Sequence, residues 1–274
     1  MVLSRKRKWH HTLVKRIMKK VLYIGDNHGR TDWIKWAKEA INKGMDVVFL
    51  GDYFDSFVKS GSQIVDNFQA IVGFKKKYDR RKIKVPTRPT VTLLLGNHDY
   101  SYMMHKTNTS GYNIHFDQQY RDLLNKHWDL FDLAWGYENP DTKQYTLATH
   151  AGITKTYWDR YIADAKYQES HYGFIEKIVD DPWKTNNMHN VLNILKDKFG
   201  LLWKIGDYRG GVDLAPSMIW ADFNELKVDP YPNINQIVGH SAWHSQEIHF
   251  NTDGTFLAKV DSFDKDSARL IINL

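Results

Sequence analysis

Five short polar motifs hold the side chains of this chain whose types and spacing allow chemistry. Their donor groups are carboxylates, an amide and imidazoles, so every donor atom is oxygen or nitrogen. Such donors suit divalent cations, and the absence of cysteine excludes thiolate sites. Each motif alone also fits a structural role, as a helix cap or a packed histidine, but together they predict a cation site. The motifs are Gly25-Asp26-Asn27-His28-Gly29, Gly51-Asp52-Tyr53-Phe54-Asp55, Gly96-Asn97-His98-Asp99, His150-Ala151-Gly152 and Gly239-His240-Ser241.

Each motif follows a short apolar run of the kind that forms a buried strand. Helical periodicity between these runs predicts an α/β architecture. Because ligands collect at the carboxyl ends of strands in such folds, one sheet would bring the five motifs together. The strands are predicted at residues 21–24, 47–50, 91–95, 145–148 and 236–238, and the helices at residues 31–42, 62–77, 118–126 and 187–199.

The C-terminal part of the chain has a different pattern. Residues 246–250, 255–261 and 268–274 are predicted strands, with a turn at Asp253-Gly254. We expect these strands to form a second sheet packed against the first.

The composition limits the class of protein. The 274 residues are 42% hydrophobic and 26% charged, as in a globular protein with a large core. No apolar run is long enough to cross a bilayer, and the basic first twenty residues lack the apolar segment of a secretory signal. We therefore expect a basic extension over residues 1–20, one domain over residues 21–274 and no membrane partner. The expected location is cytoplasmic, in a host cytoplasm if the chain is viral.

The net charge of +6 comes largely from two basic patches, at residues 5–8 and 75–84. Two interpretations stay open. The patches are either solvated surface or a means of attracting anionic partners, nucleic acid among them. The sequence does not give the oligomeric state.

The ordered series GDNHG, GDYFD, GNHD, HAG and GHS resembles the calcineurin-like metallophosphoesterase superfamily. Within it, the series is most similar to serine/threonine phosphoprotein phosphatases and symmetrical diadenosine tetraphosphate hydrolases. The motifs span residues 25–241, which is most of the chain. The resemblance implies a two-sheet β-sandwich flanked by helices, the four-layer fold of that superfamily. Residues 100–140 and 155–217, which contain no motif, would be insertions that shape the substrate cleft.

The resemblance also implies two divalent cations, with manganese as the first expectation and zinc, iron or nickel as alternatives. Two cations about 3.5–4 Å apart bind phosphate oxygens and lower the pKa of a water, so that hydroxide attacks phosphorus. The implied ligands are Asp26 and His28 for the first cation, Asn97, His150 and His240 for the second, and Asp52 as the bridge between them.

Two further residues take part in the implied reaction. His98 would protonate the leaving oxygen or stabilise charge near it, and Asp55 would orient His98. In the phosphoprotein phosphatases, Arg-Gly usually follows the second Asp of the second motif, whereas Ser56-Phe57 follows Asp55 here. Arg30 and Arg209 are candidates to bind phosphate instead, although each also fits an exposed loop arginine.

The other motif positions have narrower interpretations. Asp99 stands where those phosphatases usually have Glu, and His244, four residues after His240, is left out of the ligand set. The segment at residues 218–222 resembles a tryptophan–acid segment of phosphoprotein phosphatases. Val260-Asp261-Ser262 resembles a strand of the tetraphosphate hydrolases, and its apolar neighbours favour a structural role for Asp261.

Two enzymatic functions follow. One is hydrolysis of phosphate monoesters, on phosphoserine or phosphothreonine or on a small compound. The other is a nucleotide or nucleic-acid phosphodiesterase, such as a dinucleoside polyphosphate hydrolase. The implied partner is therefore a phosphorylated substrate, either a phosphoprotein or a nucleotide. A non-catalytic scaffold is disfavoured because every ligand position and His98 are present.

Overall fold

The computed structural model describes residues 19–79, 88–164, 175, 179–242, 245–261 and 268–274. Most of the predicted basic extension, His244 and Ser262 lie outside these ranges, as does part of the basic patch at residues 75–84. Lys20 already belongs to the first strand.

Within the described residues, ten strands form two five-stranded sheets, which confirms the α/β sandwich. The strands are β1 (Lys20–Ile24), β2 (Asp46–Phe49), β3 (Val91–Leu94), β4 (Phe131–Asp132), β5 (Ala134–Glu138), β6 (Tyr145–Thr149), β7 (Ile234–Val238), β8 (Glu247–Phe250), β9 (Phe256–Lys259) and β10 (Arg269–Asn273).

The first sheet has the order β10-β1-β2-β3-β4, and the second has the order β5-β6-β7-β9-β8. Strands β1 to β4 are parallel, with β10 antiparallel to β1. In the second sheet, β6, β7 and β9 are parallel, while β5 and β8 are antiparallel edges. The motif-bearing strands are therefore divided between the two sheets, so the prediction that one sheet gathers them was wrong.

The prediction for the C-terminal strands was also wrong in its topology. All three strands exist, but they do not form a sheet of their own. Strands β8 and β9 extend the second sheet, and β10 returns to pair with β1 in register from Lys20↔Asn273 to Ile24↔Arg269. The turn at Asp253-Gly254 is present, with Gly254 at φ 84°.

The two faces of the first sheet bury different layers. Alternate residues of β1 and β2, such as Val21, Tyr23 and Val48, face the second sheet and pack against Ile237 and Ala258. The intervening residues pack against helices on the outer face. Apolar side chains on both faces are expected for central parallel strands that are covered on both sides.

Eight α-helical segments lie within the described residues. Helices α1 and α2 pack on the first sheet, and α6 and α8 pack on the second. None of the helices within the described ranges is long and apolar enough to span a membrane. The helices are α1 (Trp33–Asn42), α2 (Gly61–Lys77), α3 (Asn97–Met103), α4 (Asp117–His127), α5 (Lys155–Tyr157), α6 (Met188–Ile194), α7 (Phe199–Leu202) and α8 (Phe223–Val228), with a π-helical turn at Trp158–Ile162.

Helix boundaries follow local chemistry. The side chain of Ser60 accepts the Gln63 N–H, while the Gln63 side chain accepts the Ser60 N–H, and this capping box starts α2. The predicted helix at residues 187–199 is instead two short helices, α6 and α7, separated by a turn.

Candidate active site

The predicted ligands lie where the carboxyl ends of the two sheets meet. Asp26 and His28 follow β1, Asp52 follows β2, Asn97 begins α3 just after β3, and the remaining two histidines follow β6 and β7. Hydrogen bonds join the two sheets at this edge. The His150 Nδ1–H donates to the Leu50 carbonyl at 2.8 Å, across the sandwich.

Four of the predicted site residues have left-handed backbone conformations that non-glycine residues seldom adopt. The φ angles are 43° at His28, 53° at Asp52, 61° at Asp55 and 62° at His240. Such strain persists only where surrounding contacts enforce it, and it is concentrated at functional sites. The loops are therefore shaped to aim these side chains.

Asp99 makes some of the contacts that hold these backbone conformations. Its buried carboxylate accepts three backbone N–H groups, from Asp52 at 3.0 Å, Tyr53 at 2.9 Å and Gly96 at 2.8 Å. Asp99 thus ties the second motif to the third and fixes the backbone of Asp52. These three hydrogen bonds explain why a carboxylate stands at this position of the third motif, which the sequence alone did not show.

Asp52 lies at the centre of the cluster. Its Oδ2 atom is 3.4 Å from His150 Nε2, 3.7 Å from His28 Nε2 and 4.0 Å from His98 Nε2. Two groups of ligand-type atoms within 4.8 Å of one another occur among the described residues, and Asp52 belongs to both. One contains His28, Asp52 and His98, and the other contains Asp52, His150 and His240.

The tautomers of two histidines leave an unprotonated ring nitrogen facing the cluster. The ring Nδ1 of His28 lies 2.8 Å from the Phe54 carbonyl, and a carbonyl oxygen can only accept. The same reasoning applies to His150 and Leu50. Nε2 of each ring is therefore unprotonated and faces Asp52, as required of a metal-binding imidazole.

Several oxygen and nitrogen atoms with lone pairs lie close together around His150, and too few of them carry a hydrogen for all to be hydrogen-bonded. Its Nε2 lies 2.9 Å from Asn97 Oδ1 and 3.2 Å from His240 Nδ1, besides the Asp52 oxygen. Nε2 of His240 is buried and has no hydrogen-bond partner in the described structure. Converging oxygen and nitrogen lone pairs fit a divalent cation.

Burial keeps these imidazoles neutral. It lowers the pKa of His28 to about 4 and that of His150 to about 3, because the charged form loses its water. The pKa of His240 is lowered for the same reason, and Arg209 adds to the effect. Neutral imidazoles are ready to bind a cation near neutral pH.

Glycines permit the close approach of the loops. A Cβ atom at Gly96 would overlap the Asp52 carboxylate, and one at Gly239 would overlap the Asp26 carboxylate. Gly51, at φ 112°, lies against the Gly96 backbone and the His150 ring. The glycines of the motifs are therefore needed for the cluster to close.

Asp26 has a different environment from the other predicted ligands. Its two carboxylate oxygens accept the His240 backbone N–H at 3.0 and 3.1 Å, and Oδ1 lies 3.8 Å from His150 Nδ1. Its side chain also shares a hydrogen bond with Asp261. Burial raises the pKa of Asp26 to about 6 and that of Asp261 to about 8, and the charge of Asp26 raises the pKa of Asp261 further.

The structure therefore places Asp261 inside the site, where the sequence analysis favoured a purely structural role. The signal was present in the segment Val260-Asp261-Ser262, but apolar neighbours concealed it. Strand β9 pairs in parallel with β7, so its carboxyl end reaches the same edge as His240.

His98 and Asp55 form the expected pair. The His98 Nδ1 atom lies 2.7 Å from Asp55 Oδ2, and the Tyr102 hydroxyl donates to Asp55 Oδ1. Burial raises the pKa of Asp55 to about 7 and lowers that of His98 to about 4. Tyr102 was not identified from the sequence, because nothing in its spacing links it to Asp55.

The two candidate arginines have different neighbours in the cluster. Nη2 of Arg209 donates to Ser241 Oγ at 2.8 Å and to the His240 carbonyl at 3.3 Å, and it pairs with Asp222 at 3.0 Å. The charge of Arg30 acts on Asp26 and Asp261. The structure thus brings both arginines near the predicted ligands.

A two-sheet sandwich with carboxylates and neutral imidazoles at its joined strand ends fits a metal-dependent phosphoester hydrolase. The chain belongs to the calcineurin-like phosphoesterase family, whose sequence model matches residues 19–253. Members of this family bind divalent cations in a dinuclear site.

Three solved structures are among those to which this chain is similar. A metallophosphoesterase from Sphaerobacter thermophilus is 11% identical, with a TM-score of 0.33 over 92% of this chain and 86% of its own. A dimetal phosphatase from Danio rerio is 13% identical, with a TM-score of 0.35 over 90% and 88%. A 5'-nucleotidase from Candida albicans is 12% identical, with a TM-score of 0.36 over 90% and 46%.

All three TM-scores are below 0.5, so the family assignment depends on the sequence match. No curated protein sequence matches the chain significantly.

Proposed function

We propose that this protein hydrolyses phosphate monoesters, with phosphoserine and phosphothreonine side chains as the substrate class. The observation that carries the proposal is the His98–Asp55 pair, joined at 2.7 Å beside the cation-binding group around Asp52. An alkoxide leaving group needs a proton, and this pair adjoins the place where a phosphate would bind.

Six side chains would hold two divalent cations, with manganese as our first choice. When bound, such cations neutralise phosphate charge and supply a water of lowered pKa. We assign Asp26 and His28 to the first cation, Asn97, His150 and His240 to the second, and Asp52 to both.

Proton transfer to the leaving group depends on His98 and Asp55. The ring of His98 is fixed through Nδ1 by Asp55, so Nε2 points toward Asp52 and the substrate position. A bound phosphate dianion favours the protonated imidazole, which opposes the effect of burial on its pKa. Nε2 then gives its proton to the leaving oxygen, and Asp55 stabilises the charged ring before transfer.

Arg209 supports a doubly charged substrate. Its guanidinium is half-buried beside His240, and its Nε–H is buried without an acceptor among the described residues. A phosphate oxygen would supply that acceptor, and a guanidinium suits a monoester dianion better than the single charge of a diester.

A second candidate is hydrolysis of dinucleoside polyphosphates. It is favoured by Asp261, the residue of the segment resembling the tetraphosphate hydrolases that lies at the site. The two functions share the cation-binding residues and differ in the leaving group.

A substrate panel tests the proposal. The purified protein with Mn²⁺ would be given a phosphoserine peptide, 4-nitrophenyl phosphate, bis(4-nitrophenyl) phosphate and diadenosine tetraphosphate, with Asp52→Asn as the inactive control. We expect turnover of the two monoesters and its loss with chelator. Turnover of the diester or the tetraphosphate alone would replace the proposal with the second candidate. No turnover combined with no bound metal would indicate a scaffold.

A further inference from the structure

The proposed cation positions have unequal numbers of protein ligands. The second position has four: Asp52, Asn97, His150 and His240. The first has only three, Asp26, His28 and the shared Asp52. Because divalent cations of this type bind at least four ligands, the first position requires at least one more donor, from the protein or from water.

Asp261 is a carboxylate in that neighbourhood. It is 3% exposed and lies two residues beyond the end of β9. The parallel pairing of β7 with β9, continued by the Val260 N–H bond to the Val238 carbonyl at 2.8 Å, brings it beside the loop that holds His240.

Contacts on the other side tie Asp261 to the first motif. Its carboxyl shares a hydrogen bond with that of Asp26, and its charge acts on His28. A Cβ atom at Gly25 would lie only 3.1 Å from the Asp261 Cα atom, so the glycine lets the two strand ends approach. Asp261 thus adjoins both residues that are assigned to the first cation alone.

We propose that Asp261 is the fourth protein ligand of the first cation position, beside Asp26, His28 and Asp52. This inference rests on the proposed function, because it uses the assignment of the first cation. Two buried carboxylates side by side attract a divalent cation, which offsets the repulsion between them. Carboxylate oxygen also suits manganese.

The alternative role is structural. The charge of Arg30 acts on both Asp26 and Asp261, so Asp261 would then serve to hold that arginine in place. The two roles can be distinguished without measuring activity, by cation affinity and by the stability of the metal-free protein. A ligand contributes to cation affinity, whereas a partner of Arg30 contributes to the stability of the metal-free fold.

The test is calorimetric titration of the full chain with Mn²⁺, after removal of metals, for the wild type and Asp261→Asn. Asparagine keeps the shape and a hydrogen bond but removes the charge. We expect two Mn²⁺ sites in the wild type, and in the variant one site weakened at least about tenfold. The metal-free variant should melt no lower than the wild type, because asparagine replaces a buried carboxyl whose ionisation beside Asp26 is destabilising.

Asp46→Asn is the matched control. Asp46 is also a buried carboxylate, but it begins β2 at the opposite end of the sheet, where it accepts the Thr90 N–H. Both Mn²⁺ affinities should stay at the wild-type values. Asp261→Ser provides a second variant, with the same single weakened site expected.

Unchanged affinity at both sites in the Asp261 variants, or a lower melting temperature with unchanged affinity, would overturn the inference and leave the proposed function intact. A wild type that binds no Mn²⁺ would instead contradict the proposed function itself.

Discussion

His98 takes its orientation from hydrogen bonds to two neighbours. Its backbone N–H donates to Asp52 Oδ1 at 3.0 Å, and its ring is held by Asp55 at 2.7 Å. The first contact links the residue to the cation cluster, and the second leaves Nε2 available. The roles that we propose separate proton transfer from cation binding, although His98 lies within reach of the candidate ligand atoms of His28 and Asp52.

That separation predicts the behaviour of His98→Asn. We expect kcat to fall about 100-fold, because a general acid contributes about 10²–10⁴ to the rate. Bound manganese, measured by elemental analysis after gel filtration, should stay near the wild-type value. Loss of one metal ion in this variant would show that His98 is a ligand and that its role is misassigned.

Tyr102 is predicted to lower the pKa of Asp55. Its hydroxyl donates to Asp55 Oδ1, accepts the Asn113 N–H at 2.9 Å and lowers the pKa of the carboxyl against the larger effect of burial. In Tyr102→Phe, the pKa of Asp55 should therefore rise. Since ionised Asp55 holds the charged ring of His98, the acidic limb of the kcat profile should move to higher pH, with kcat at pH 7 reduced about tenfold.

A pH–rate series at saturating substrate, together with a melting curve, checks the Tyr102 prediction. A purely structural role would lower the melting temperature and leave the midpoint of the acidic limb unchanged.

At the scale of elements, strand-end loops build the site, and the glycines set their spacing. Gly96 begins α3 as its N-cap, and its missing side chain leaves room for the Asp52 carboxylate. Gly96→Ala should force these loops apart at a cost of about 1–3 kcal/mol. We expect weaker Mn²⁺ binding and loss of turnover, measured by calorimetry and by hydrolysis of 4-nitrophenyl phosphate.

Gly73→Ala is the matched control for that substitution. Gly73 lies in α2, is exposed, and a Cβ atom there would meet nothing within 4 Å. Alanine should stabilise the helix by about 0.5–1 kcal/mol and leave Mn²⁺ affinity unchanged. Equal effects of the two substitutions would contradict the spatial role of Gly96.

Local patterns were sufficient to predict most of these elements. Apolar runs before the motifs gave the five strands, and the spacing of Trp33, Trp36 and Ala37 gave the buried face of α1. The division into two sheets could not be predicted, because strand pairing depends on contacts between distant segments. Edge strands β4 and β5 were missed because β4 has only two residues and four of the five β5 residues are partly exposed.

For the site as well, contacts between distant segments could not be predicted from the sequence. Residues within one motif were identified from their spacing, whereas Asp261 and Tyr102 belong to it only through pairing and packing. Asp261 reaches Asp26 because β9 pairs with β7, and Tyr102 reaches Asp55 because α3 packs beside the second motif.

At the scale of the whole molecule, the site exists only where both sheets are joined. The predicted ligands that follow β1, β2 and β3 meet those that follow β6 and β7. The His150 ring is hydrogen-bonded to the Leu50 carbonyl, and the Gly239 N–H donates to the His150 carbonyl at 2.7 Å. Cation binding should therefore be coupled to the stability of the sandwich as a whole.

This coupling predicts how stability depends on pH. Burial raises the pKa of Asp26 to about 6 and that of Asp261 to about 8, above the value near 3.8 of an unperturbed Asp. Groups with raised folded pKa values stabilise the fold while protonated, and this contribution is lost as the pH rises through the folded values. The lowered pKa values of His28 and His150 act mainly below about pH 6.5, where the unfolded imidazoles take up protons.

Above pH 7 the carboxyl effect should therefore dominate in the metal-free protein. We expect its melting temperature, measured by differential scanning fluorimetry with chelator, to fall between pH 7 and pH 8.5. Saturating Mn²⁺ should raise it most at the alkaline end, because cation binding favours the ionised carboxylates that are destabilising alone. Asp261→Asn removes the group that titrates near pH 8, so its metal-free profile should be flatter. A metal-free melting temperature that rises over this range would mean that the buried carboxyls are already ionised and compensated within the protein.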